Sequence, residues 1–175
     1  MSEDERRTQS PDWAEIERQL GDQWEEYLRG SEDLLTIVVK GHLLIEHRVF
    51  MLVDKLLPNP VPLSGFRLIQ HVRFLRALLS NEVGGGICDA VERLNALRNT
   101  LAHNLDSPKL QQQISAFLNV IEPMQSNVDT TVSIAQRLRT GMAYLIGRLG
   151  GIEHSIARSI LVHFVDVGEQ TTRGQ

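Results

Sequence analysis

The stretch from Leu94 to Leu105 reads LNALRNTLAHNL and gathers a cation, a hydrogen-bonding amide and an acid–base group. Arg98 carries a planar guanidinium whose fork suits a phosphate. Asn99 offers an amide, and His103 is the one side chain that exchanges protons near neutral pH without help. Asn99 and His103 are four residues apart, so they share a helical face. A structural reading stays open, because the helix macrodipole favours Arg and His at a C-terminus and Asn104 suits a left-handed cap. A second charged residue stands where the pattern wants an apolar one. Glu46 has Val39 and Leu43 before it and Phe50 and Val53 after it at helical spacing. Arg98 likewise falls on the stripe of Val91, Leu94 and Leu101. Burying either charge alone costs several kcal/mol. The two are therefore expected to face each other across packed helices. The pair would either fix helix register or orient Arg98 for a phosphate.

Other polar clusters carry less. His42 and Glu46 are four apart with His47 adjacent, and His71, His154 and His163 lie elsewhere. There is no H-E-x-x-H spacing, so no metal site and no cofactor is expected. Arg67, His71, Arg73 and Arg76 form a basic cluster, read as a solvated face or as a local RNA patch. Asn81 to Gly86 is read as a flexible turn, since no strand precedes it and no Gly-Lys-Ser follows.

The elements that must position these residues read as helices throughout. Trp13, Ile16, Leu20, Trp24 and Leu28 make one face of a helix from Asp12 to about Leu28. Gly30-Ser31 restarts the chain. Ser31 to Leu57 is apolar over most of its circumference, which marks a central bundle helix, and Pro58, Pro60 and Pro62 stop it. Further helices are expected from Phe66 to about Leu79 with Ser64 as cap, and from Ile87 to Ala102. Another begins at Ser107-Pro108 and runs to Ile121. A pair follows, Asp129 to Leu149 and Ile152 to about Val167, separated by Gly150-Gly151. The stripe of Ile152, Ile156, Ile160 and Phe164 suits core or a dimer seam. The expected fold is all-α, an antiparallel up-and-down bundle with additional C-terminal helices. The expected divisions are a disordered segment 1–11, a bundle over 12–125, a helical pair over 126–168 on the bundle or on a partner, and a frayed tail 169–175.

Composition bounds the function. The chain has 175 residues, 42% hydrophobic and 23% charged, enough for one packed domain. The formal net charge of −4 excludes a general basic coat for nucleic acid, so any RNA must be held by a local patch. Cys88 is the single cysteine, which excludes an internal disulfide. No apolar run suits a signal peptide or a membrane span. These features suggest a reducing, cytoplasmic setting.

RNTLAH, residues 98 to 103, resembles the signature of the HEPN superfamily: an arginine, a polar residue directly after it, and a histidine after four intervening positions. The upstream GHLLIEHRVF, containing Glu46, resembles the acidic helix that precedes the motif in many members. The resemblance covers roughly residues 31–122. It implies a metal-independent endoribonuclease, a toxin or defence effector, whose site is composite at a homodimer interface. His103 would transfer protons around the ribose 2′-hydroxyl and the leaving oxygen, and Arg98 would stabilise phosphate charge. Asn99 would position them and Glu46 would hold Arg98. An antitoxin or regulatory protein is the implied partner beside RNA. One toxin branch has a tyrosine two residues after the histidine, and here that residue is Leu105. Other members resemble the mannitol operon repressor. They imply an alternative, a non-catalytic regulator or adaptor acting through protein contacts.

Overall fold

The computed structural model describes residues 33–57, 65–103, 108–126 and 128–172, with side chains as far as residue 156. Among the described residues it contains five α-helices and no strand. The fold class is all-α. The helices are α1 (Leu34–Leu56), α2 (Leu68–Leu78), α3 (Asn81–His103), α4 (Leu110–Ile121) and α5 (Ile134–Thr172). A 3₁₀ turn, Glu122–Met124, follows α4. The expected segment 1–11, the helix from Asp12 to Leu28, Gly30-Ser31 and the proline run from Pro58 lie outside the described residues. So do Ser64, Asn104, Leu105, Ser107 and the side chains of Ile160, His163 and Phe164.

Local chemistry sets the boundaries. Asp33 starts α1: its Oδ2 accepts from the Thr36 N–H at 2.8 Å and from Thr36 Oγ1 at 2.6 Å. The helix stops at Leu57, which turns extended just before Pro58. At α2 the Gln70 side chain reaches back to the Arg67 N–H at 2.7 Å. Ser133 Oγ accepts from the Gln136 N–H at 3.2 Å and opens α5. Asp129, the expected start, instead closes a turn by accepting from Thr131 at 2.8 Å.

Two glycine-based expectations fail. The segment from Asn81 to Gly86 is the first part of α3, not a loop. Ser80 O accepts from the Val83 and Gly84 N–H groups at 3.1 and 2.8 Å, so the helical ladder is established at once. Gly84 is there because α2 turns into α3 so sharply: a Cβ on it would lie 2.8 Å from Leu79 Cβ. Gly150-Gly151 also fails to divide the last helix, and α5 runs unbroken from Ile134 through the expected tail to Thr172. Glycine costs an interior helix only about 1 kcal/mol relative to Ala. Here the stripe of Leu138, Met142, Leu145, Leu149 and Ile152 passes through the glycines and stays buried.

α1 is central, packing on α2, α3 and most extensively on α5, while α3 carries α4 on another side. The core is aliphatic: Ile37, Ile45, Leu52, Leu94, Leu97, Leu138 and Met142 are all fully buried, with Phe117 its largest member. Each contributes about 1.5–3 kcal/mol by leaving water. α5 is clamped polar-side as well. Arg48 of α1 donates from Nη1 to Glu153 Oε2 at 3.0 Å, both side chains being buried, and Lys55 Nζ reaches Glu153 Oε1. Further along, Arg137 forks onto Glu122 at 2.7 and 2.8 Å. The C-terminal segment thus packs on the bundle through its first half.

Candidate functional site

Helix geometry alone does not gather the RNTLAH residues. Five positions separate Arg98 from His103, which places their Cα atoms about 140° apart around α3. The side chain of Arg98 makes up part of that angle. Its Nη1 donates to Asn99 Oδ1 at 3.3 Å, which draws the guanidinium around the helix toward the face that Asn99 shares with His103. Arg98 is half-buried, while Asn99 and His103 are exposed. A cation, an amide and an open imidazole therefore occupy one end of α3, beyond Leu97 and Leu101, which seal the core beneath them.

Glu46 is placed differently from expectation. It makes no ion pair with Arg98 within 4 Å. Its carboxylate, 28% exposed, lies 3.9 Å from Nδ1 of His42, one turn earlier on α1. His42 stands between the two predicted partners. Its Nε2 is 3.1 Å from Asn95 Oδ1, and since an amide oxygen only accepts, Nε2 carries the hydrogen. Burial pushes the His42 pKa down. The Asn95 bond and Glu46 oppose that shift, and Arg98 reinforces it. A neutral ring leaves Nδ1 bare, and that atom is buried without a hydrogen-bond partner. The direct Glu46–Arg98 bridge fails because α1 inserts His42 into the α1–α3 seam. Glu46 meets His42 first, and Arg98 turns outward to Asn99. Both charges nonetheless act on the same imidazole. Sequence reading missed His42 as a member of this group, although its spacing from Glu46 was visible. What it lacked was the register that sets Asn95 opposite.

The basic cluster divides. Arg76 donates from Nη2 to Asp89 at 2.8 Å and to Glu92 at 3.3 Å, and the Asp89 bond raises its pKa. It is thus removed from any anion patch. Arg67 and Arg73 are exposed and make no ion pair among the described residues. His71 turns inward instead, its Nδ1 lying 3.2 Å from the Arg67 carbonyl.

No three His, Cys, Asp or Glu side chains converge as a metal site among the described residues. Burial pushes the Cys88 thiol up to about 11, so it offers no thiolate nucleophile at neutral pH. A cavity of about 210 Å³ opens between the 3₁₀ turn and α5, lined by Gln125, Asp129 and Gln136 among others, but the Glu122–Arg137 pair on its wall already satisfies both charges. No described helix is long and apolar enough to cross a membrane. Comparison with protein-family models, curated proteins and solved structures returned no match.

Proposed function

We propose that this chain is a HEPN-like, metal-independent endoribonuclease that acts as a homodimer. The observation that carries the reading is the turn of the Arg98 guanidinium onto Asn99, beside an exposed His103 at the same helix end. An exposed imidazole, with no hydrogen-bond or ion-pair partner among the described residues, can take the proton of a ribose 2′-hydroxyl as that oxygen attacks the adjacent phosphorus. A second copy of the motif, across a dimer axis, returns a proton to the departing 5′-oxygen. Arg98 then meets the charge that develops on the non-bridging phosphate oxygens. Asn99 holds Arg98 in that orientation. The His42–Asn95 bond fixes the α1–α3 seam on which Arg98 rests, with Glu46 one turn along α1.

The test is cleavage of a defined RNA panel by the purified chain in EDTA. His103→Ala should lower the rate by about 10²–10⁴-fold with the fold intact, and Arg98→Ala should lower it comparably. Equal cleavage by His103→Ala and the unaltered chain would overturn the proposal, as would no cleavage by either. In the second case the regulator reading stands. It is favoured by one feature, the position of Glu46 near His42 with no ion pair to Arg98.

A further inference from the structure

The chain has only five phenylalanines, and two of them lie at the surface as a pair. Phe66 is 41% and Phe74 38% exposed. Their rings are 6.0 Å apart and nearly parallel, at 13°. The pair is anchored rather than loose. Phe66 meets the buried His71 ring edge-on at 6.2 Å, and His71 in turn lies 4.1 Å from Phe50. Phe50 sits one turn beyond Glu46 on α1, so the row of rings starts on the helix that carries Glu46 and His42. Exposed rings held rigid offer flat apolar faces at little entropic cost.

The surrounding charge narrows the occupant. Arg67 directly follows Phe66, and Arg73 directly precedes Phe74. Both are exposed and neither is neutralised by a carboxylate among the described residues. Arg76, one turn away from Arg73, is neutralised by Asp89 and Glu92. In a chain of net charge −4, cations with no carboxylate partner among the described residues, set beside stacked rings, are the local exception. Aromatic faces take unpaired bases, and guanidinium groups take the phosphates between them. We propose that the α2 surface of Phe66, Arg67, Arg73 and Phe74 is a stacking platform for single-stranded RNA. It goes beyond the cleavage reading and gives that site its substrate class, a strand with unstacked bases rather than a duplex.

The experiment measures fluorescence anisotropy of a labelled twelve-residue oligouridine, alone or annealed to oligoadenosine, in the His103→Ala background so that no cleavage intervenes. The single strand should bind more tightly than the duplex. Phe74→Ala should weaken binding of the single strand by about 10-fold, within the range for one lost base stack, and Phe74→Tyr should restore it. Arg73→Ala should flatten the salt dependence. Arg76→Ala should leave both unchanged. Because Phe74 is exposed, its variants should keep the helical circular dichroism of the parent. Unchanged affinity in Phe74→Ala overturns the platform, as does equal binding of duplex and single strand. A dimer that dissociates in Phe74→Ala while RNA affinity holds would assign this face to a second copy, and also overturns it. Failure here with His103-dependent cleavage intact would refute the platform alone. Binding with no cleavage would refute the nuclease alone.

Discussion

His42 is the residue whose protonation the fold opposes most visibly. Buried and bonded to Asn95 through Nε2, it is held in its neutral form, burial pushing its folded pKa below the 6.5 usual for an imidazole. In the unfolded chain the ring takes a proton once pH falls through about that value, and the folded chain does not until lower pH. Folding stability is therefore fully present above pH 6.5 and is lost as pH falls through it toward the depressed folded pKa. Urea unfolding at pH 7.5 and 5.5 should show this loss, and His42→Gln should reduce it. An equal loss in both proteins would mean that His42 does not titrate differently on folding. At this scale the sequence exposed part of the site. RNTLAH and the interruption at Glu46 were legible because charge on an apolar stripe is conspicuous. The Glu46–Arg98 bridge was not, because pairing across helices depends on register, which spacing within one helix does not contain. Arg48 was missed for a related reason. It sits in so wide an apolar surface, between Ile45 and Leu52, that its own burial leaves no mark on the pattern.

Among the elements, glycine has opposite meanings in α3 and α5. Gly84 lies under Leu79, and the added methyl of an alanine would meet Cβ of that residue at 2.8 Å. Gly147 and Gly151 have nothing within 4 Å of the same methyl. Gly151→Ala and Gly147→Ala should each stabilise the fold by about 0.5–1 kcal/mol through helix propensity. Gly84→Ala should destabilise it despite the same propensity gain. Thermal unfolding of the three variants decides this, and a rise for Gly84→Ala would show that the α2–α3 corner yields. The same contrast explains which boundaries could be read. The central position of α1 followed from its apolar circumference, but its cap at Asp33 was not read, the restart having been placed at Gly30-Ser31. The unity of α5 was present in the unbroken spacing of Leu138, Met142, Leu145, Leu149 and Ile152. Reading Gly150-Gly151 as a breaker set a weak local cost above a burial pattern several times larger.

For the molecule as a whole, the Arg48–Glu153–Lys55 cluster is the polar fastening between α1 and α5. Glu153→Ala would leave the Arg48 guanidinium buried with its main partner gone, and should cost about 3–5 kcal/mol. Replacing both, as Arg48→Met with Glu153→Leu, should recover most of that loss, because no unmatched charge is then buried and the Lys55 side chain, 40% exposed, keeps its ammonium in water. Chemical denaturation of the two variants tests the idea. A double variant no more stable than Glu153→Ala would show that the cluster contributes by more than mutual neutralisation.

The two ends of that fastening are 105 residues apart in the chain. At about 5–20 residues added per second, Arg48 leaves the site of synthesis roughly 5–20 s before its carboxylate is made. During that interval the surface of α1 that later lies under α5 has no cover, and its guanidinium stays in water. A nascent chain halted before Glu153 should thus be held by chaperones and cut readily by proteases, and become resistant only when the last helix arrives.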